Sequence, residues 1–401
     1  MNLKIKNKSG ITLIALIITI VVMLILVAVS INILVNSNLI GHAEKTGDAY
    51  AGAIKNEEKL GNDGITINDK EYASIDDYIE SRKPLPEGAG KKFTETKKYN
   101  DGTKTAVIPG DFTVSGIRNE TKIDGGLVIY LIPDDELENI KWDGTEKTKY
   151  DQFVWVPVTD VNKMFMCQSK TADTECNIEL VNGKPTCTNH SNSTAMAGRL
   201  YANVKGKFIP DLTTQTYNAN SGIREPAIIT GNADGTGTSG DGSDSNNIGL
   251  TLATLQEEYN NVVKKVIESK GFWIGRYETS GMDSSNDDIA VNIVAGKGTS
   301  DGINNVDWYR MYKQQQNYAS KKSLDTSKIQ STMIFGAAYD QAIMFANCAT
   351  ETTPEKDYST VITGNVEGDC YKNIYDLCGN LNEWTTEPVS TGGRVSRGRL
   401  L

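Results

Sequence analysis

Residues 373–385 read NIYDLCGNLNEWT and combine turn-forming, polar and aromatic residues in one short stretch. Gly379 allows a tight turn with positive φ, which most other residues avoid. Trp384 supplies a large apolar anchor, and the carboxylate of Asp376 can accept hydrogen bonds from loop amides. The stretch therefore predicts a compact loop fastened to a core.

The chain before this loop is built from short apolar runs separated by Gly, Asn and Asp, which predicts strands joined by irregular loops. The predicted strands are Thr105–Ile108, Phe112–Gly116, Gly126–Ile132, Gln152–Val158 and Gly271–Tyr277. The run at 152–158 shows no polar alternation, so it predicts a buried strand that ends near Pro157.

Helices are fewer in this part of the chain. Thr254 and Glu257 form a capping-box pattern, and apolar residues then recur at helical spacing until Lys270 and Gly271. A more buried helix is predicted over Ser331–Ala346, and a short one over Ser74–Arg82. The fold class predicted from these elements is α+β.

The loop at 373–385 resembles the "YDmxGNVWEW" signature of the formylglycine-generating enzyme, or sulfatase-modifying factor, family. Further segments resemble that family in the expected order over roughly 105–398: Ile108–Phe112, Gly271–Thr279, Met333–Ala346 and Arg394–Gly398. The resemblance implies an irregular, loop-rich domain of the C-type lectin fold. It also implies an oxidase that uses copper and oxygen.

One departure from the family bears on activity. Family members continue past "RGGS" into a stretch with the reactive cysteine pair, whereas this chain reads Arg397-Gly-Arg-Leu-Leu401. No catalytic residue is therefore assigned, and a frameshift or truncation would explain the ending. In the family the signature loop can hold calcium, so Asn380 and Glu383 are calcium ligands in one interpretation, and the loop is purely structural in the other.

The N-terminus carries a long apolar segment. Residues 10–41 contain no charged side chain, and the run exceeds the roughly 20 residues that a helix needs to cross a bilayer. Lysines precede the run and acidic residues follow it, which predicts a single-pass protein of the cell membrane with a cytoplasmic N-terminus and an extracellular C-terminal domain.

The segment resembles a type IV prepilin signal, with Lys4, Lys6 and Lys8 before Gly10. By resemblance, prepilin peptidase cuts between Gly10 and Ile11 and methylates Ile11, and pilin-like subunits are further partners. Ala15 stands where that family usually carries a glutamate, which weakens the case for filament assembly. An uncleaved signal anchor is the alternative.

Composition excludes some functions. The formal net charge is -10 and no basic stripe is visible, so a nucleic-acid partner is not expected. The chain has only two histidines, His42 and His190, which excludes most catalytic zinc sites and most Ser-His and Cys-His mechanisms unless they use His190.

The even number of cysteines suits three disulfides in an extracellular domain, without a deducible pairing. The disulfide candidates are Cys167, Cys176, Cys187, Cys348, Cys370 and Cys378. The first three share one insertion with His190, and the spacing of Cys187 and His190 also suits half of a Cys3His zinc site. The predicted extracellular location favours the disulfides.

These observations predict four regions: a leader at 1–10, a transmembrane pilin-like helix at 11–60, a short helix and linker at 61–90, and an ectodomain at 91–401 with insertions at about 165–250. The predicted function is a membrane-anchored, surface-exposed bacterial protein whose non-catalytic domain binds an unknown surface ligand or has a structural role. The alternatives are an oxidase of the formylglycine-generating type and a minor pilin or pseudopilin for filament assembly or secretion.

Overall fold

A computed structural model describes much of the chain. It describes residues 17–27, 65–67, 70–168, 175–198, 225–226, 252–279, 308–347, 363–364, 370–377, 383–388 and 394–397. The chain divides into two compact units, Met1–Pro84 and Leu85–Leu401.

The first unit contains a helical stretch at 17–27, strands β1 (Ile65–Ile67) and β2 (Lys70–Tyr72), and helix α1 (Ile75–Arg82). β1 and β2 form an antiparallel pair. The Ser74 hydroxyl caps α1 by accepting a hydrogen bond from the Asp77 amide, which confirms the predicted short helix.

The predicted transmembrane helix is not found. No helix among the described residues is long and apolar enough to cross a membrane. The predicted pilin-like membrane helix at 11–60 and the single-pass membrane location are therefore wrong. The predicted processing residues Gly10 and Ile11 lie outside the described residues.

The second unit is a mixture of helices and small antiparallel sheets. The bounds of its strands in chain order are β3 Lys97–Asn100, β4 Thr105–Ile108, β5 Thr113–Val114, β6 Val128–Leu131, β7 Asp151–Pro157, β8 Phe165–Cys167, β9 Ile178–Val181, β10 Lys184–Cys187, β11 Met196–Gly198, β12 Gly271–Gly275, β13 Glu383–Pro388 and β14 Arg394–Arg397. Its helices are α2 Val161–Met164, α3 Leu252–Ser269, α4 Trp308–Lys321 and α5 Gly336–Ala346.

The largest sheet has the order β12-β7-β6-β5 and every neighbouring pair in it is antiparallel. β7 lies inside this sheet and ends at Pro157, as its unbroken apolar sequence predicts. The remaining strands form two-stranded sheets, which pair β3 with β4, β8 with β11, β9 with β10 and β13 with β14.

The core of the second unit lies between this sheet and the helices. One cluster of buried side chains joins β8, β9, β10 and β11 to α3 and the start of α5, and a second joins the sheet to the rest of α5. α3 starts at Leu252, so Thr254 lies inside the helix and is not its N-cap as predicted. α5 starts at Gly336, five residues later than predicted.

Candidate metal centre

Three cysteines and one histidine from the insertion at 165–198 converge in the structure. Cys167 ends β8 and Cys187 ends β10, while Cys176 comes just before β9 and His190 lies in the turn after β10. One ligand atom from each of the four residues lies within 4.8 Å of the other three.

A tight hairpin explains the convergence. Asn182 and Gly183 both have positive φ, as a two-residue turn between antiparallel strands requires, and they join β9 to β10. The register pairs Cys187 with Ile178, which brings the end of the hairpin back beside Cys176. β8 is paired with β11, so Cys167 approaches the same point from a second sheet.

The distances between the ligand atoms match those around a tetrahedrally coordinated ion. The Nδ1 atom of His190 lies 3.5 Å from the sulfur of Cys167, 3.4 Å from that of Cys176 and 3.2 Å from that of Cys187. The sulfurs of Cys167 and Cys176 are 3.9 Å apart. Zn–S bonds of about 2.3 Å and Zn–N bonds of about 2.0 Å at tetrahedral angles place two sulfurs about 3.8 Å apart and sulfur and nitrogen about 3.5 Å apart. These four distances therefore fit a tetrahedral zinc ion, and the remaining two lie within 4.8 Å.

The chemistry of the pocket is compatible with a bound cation. All three cysteines are buried. Burial raises the pKa of the Cys187 thiol to about 12, and it raises the pKa of Cys176 as well. Three thiols enclosed in this way are poor anions by themselves, whereas a bound Zn²⁺ ion holds them as thiolates and compensates their charge.

Side-chain amides around the cysteines hold the loops in place. The side-chain oxygen of Asn189 accepts a hydrogen bond from the Asn177 amide at 2.9 Å. The Asn162 side chain accepts from the Ile178 amide at 2.8 Å. Such outer contacts fix the orientation of metal ligands.

The predicted disulfides are not present among the described cysteines. Cys167, Cys176, Cys187 and Cys370 are not joined in disulfides. A disulfide needs its sulfurs about 2.05 Å apart, and the 3.9 Å between Cys167 and Cys176 is far longer. Cys370 is partly exposed and is not part of the cluster. Cys348 and Cys378 lie outside the described residues.

The signature loop is only partly described. Asp376 is buried, and its Oδ2 atom accepts hydrogen bonds from the Gly364 amide at 2.7 Å and the Thr363 hydroxyl at 2.9 Å. Trp384 packs against the buried cluster around Trp308, in keeping with the predicted anchor. Gly379 and Asn380 lie outside the described residues.

The calcium ligands predicted in that loop stay a prediction, because Asn380 lies outside the described residues. Desolvation raises the pKa of Glu383, and the neighbouring carboxyl groups of Glu278 and Asp376 raise it further. A carboxyl group in this setting favours its protonated form. Among the described residues, the group at Cys167, Cys176, Cys187 and His190 is the one cluster that could hold a metal ion.

A buried carboxylate beside the insertion has no counterpart in the sequence-based predictions. Glu225 is fully buried and lies at the N-terminus of α5, where its side chain accepts hydrogen bonds from the amides of Gly336 at 2.8 Å and Ala337 at 3.3 Å. The Thr386 hydroxyl donates to the same carboxyl group. Burial raises the pKa of Glu225 to about 8, and the nearby Glu387 carboxyl adds to the rise.

Comparison with known protein families, with curated proteins and with solved structures finds no match to this chain. The resemblance to the formylglycine-generating family and the lectin-type fold that it implies therefore stay predictions.

Proposed function

We propose that this chain is a zinc-stabilised, non-catalytic protein that has a ligand-binding or structural role. The single observation that carries the proposal is the convergence of Cys167, Cys176, Cys187 and His190, whose ligand atoms lie within 4.8 Å of one another. Sulfur and imidazole ligands in this number select zinc among the common divalent ions.

The ligand set supports a structural role for the metal. Four protein ligands complete a tetrahedral shell, and a catalytic zinc ion needs an open position for water or substrate. The three sulfurs are buried, with exposed fractions of 5% or less for their residues. The bound ion would hold β8, the β9–β10 hairpin and the turn at His190 together.

The zinc centre also stabilises the neighbouring core. β8 and β11 carry apolar side chains into the same buried cluster as α3 and the start of α5. The Gln256 side chain of α3 donates to the Met196 carbonyl of β11 at 2.8 Å, and the Asn260 side chain accepts from the Met196 amide at 3.1 Å. Ordering the insertion around zinc therefore supports the position of α3.

The test is to purify the full chain under reducing conditions and to measure its metal content by mass spectrometry. We expect one zinc ion per chain, and replacement of zinc by Co²⁺ should give the visible absorption bands of a tetrahedral sulfur-ligated ion. Cys187→Ser should lose the metal. The matched control is Cys370→Ser, which removes a free thiol outside the cluster and should keep it.

Two results would overturn the proposal. One is a folded wild-type chain that contains no zinc and takes up none when zinc is supplied. The other is a non-reduced sample in which two of the three clustered cysteines are joined as a disulfide in the folded protein, because such a bond removes two of the four ligands.

A further inference from the structure

A cleft on the side of α3 and α4 has the composition of an anion-binding site. It has a volume of about 420 Å³ and lies between α3, α4 and the segment that joins α4 to α5. Its lining residues are Asn261, Lys264, Lys265, Gln316, Ala319, Thr326, Ser327, Lys328, Ile329, Gln330 and Ser331.

We propose that this cleft binds a small polyanion whose sulfate or carboxylate groups are carried on a polar, hydroxyl-bearing frame such as a sugar. The lining contains three lysines and no acidic residue. This is unusual in a chain of formal net charge -10, where a random surface patch would carry more carboxylates than ammonium groups.

The three ammonium groups differ in their surroundings. Lys264 lies 4.0 Å from Glu268 in a loose pair along α3, whereas Lys328 lies 2.9 Å from Asp325 and also faces the carboxylates of Asp111 and Glu95. Exposed pairs of this kind contribute little free energy and exchange readily for another anion. Lys265 is exposed and has no ion pair within the described part of the chain.

The walls of the cleft are already held in place. The Ser331 hydroxyl donates to the Gln316 carbonyl and accepts from the Ala319 amide, at 3.1 Å in both cases. The amides of Lys328 and Ile329 donate to the Asp325 carbonyl at 3.0 and 2.9 Å, which forms a tight turn. A site that needs little ordering retains more of its interaction free energy on binding.

The remaining lining residues favour a hydroxyl-bearing ligand. Amide and hydroxyl side chains at Asn261, Gln330 and Thr326 can exchange hydrogen bonds with sugar hydroxyls. Lysine provides a flexible point charge, which suits several separate anionic groups better than the two coplanar oxygens of a single group. The volume lies in the usual range for small-ligand sites. This inference deepens the proposed binding function by naming a ligand class.

The test is isothermal titration calorimetry of the zinc-loaded full chain with sucrose octasulfate as the sulfated probe. Tri-galacturonic acid is the probe with carboxylate groups, and neutral sucrose is the uncharged control. We expect binding of at least one of the two anionic probes that weakens as salt is raised, and no binding of sucrose. The triple variant Lys264→Gln, Lys265→Gln and Lys328→Gln should weaken binding at least tenfold.

A second triple variant provides the matched control. Lys98→Gln, Lys141→Gln and Lys184→Gln change the net charge by the same amount at exposed positions away from the cleft. Binding by this variant should stay within twofold of the wild type. The inference is overturned if neither anion binds the wild type, or if both triple variants lose affinity equally. Zinc content measured on the same samples tests the zinc centre separately.

Discussion

The buried carboxyl group of Glu225 makes the stability of this protein depend on pH in an uncommon direction. Its pKa rises from an ordinary value of 4.5 to about 8 in the folded chain, because burial and the nearby Glu387 disfavour the charged form. Asp340 and the hydroxyl of Tyr259 face the same region from α5 and α3. Burial raises the pKa of Tyr259, and the carboxyl groups of Glu225, Glu387 and Asp340 raise it further.

The direction of this pH dependence follows from the number of protons that the folded and unfolded chains bind. Below pH 4.5 the folded and unfolded chains both carry the proton, so the stabilisation is complete. Between pH 4.5 and 8 only the folded chain keeps it, so stability falls by about 1.4 kcal/mol per pH unit and the contribution is lost as pH rises through 8. The whole rise of the Glu225 pKa, from 4.5 to about 8, corresponds to about 5 kcal/mol in the free energy of unfolding.

The substitution Glu225→Gln isolates this effect, because glutamine is neutral at every pH and keeps an acceptor for the Gly336 amide. Urea unfolding at pH 6.5 and 8.0, with zinc supplied throughout, should show that the wild type loses about 2 kcal/mol more than the variant over that interval. Glu387→Gln removes the like charge and should make the loss smaller. Equal pH dependence in wild type and Glu225→Gln would refute the reasoning.

Three further predictions concern the metal, a turn and a buried ion pair. Chelation of zinc should lower the thermal midpoint by about 10 °C or more, and added zinc but not magnesium should restore it in differential scanning calorimetry. Gly126→Ala should cost about 3 kcal/mol or more in urea unfolding, because φ is +91° and the new Cβ would lie 1.9 Å from the Lys372 carbonyl oxygen. Gly144→Ala, with φ +99° and open space around it, should cost only about 1–2 kcal/mol, and an equal cost at both glycines would contradict the steric argument. Arg276→Met should cost about 3–5 kcal/mol in the same assay because it leaves Glu120, 2.8 Å away and fully buried, without its guanidinium partner, and a cost near zero would show that the pair is not formed.

The strands of the four-stranded sheet were predictable because each has a local apolar pattern. β7 differs from its predicted bounds by one residue at each end, and β4, which pairs with β3 outside that sheet, has the predicted bounds. The start of α5 was not predictable, because Phe335 provides no side-chain cap and the helix is capped by Glu225 from far away in sequence. Local capping patterns carry no information about such a partner.

The metal centre was visible in the sequence but was ranked below disulfides. The Cys187–His190 spacing and the two preceding cysteines indicate the ligand set, and the preference for disulfides depends on an extracellular location inferred from a membrane helix that is not found among the described residues. The Asn182-Gly183 turn was the local signal that could have raised the zinc interpretation, because it folds Cys187 back toward Cys176. Composition alone cannot decide between oxidised and metal-bound cysteines.

The pairing of β8 with β11 has a consequence for how the protein could have acquired its insertion. Phe165 lies opposite Gly198 in that pair, so the chain leaves and rejoins the rest of the fold at adjacent points. All four metal-binding residues fall between those points. A segment with neighbouring ends can be gained, lost or transplanted without redirecting the strands around it. The apolar side chains that this segment packs against α3 and α5 limit such a transfer to hosts that offer a matching apolar surface.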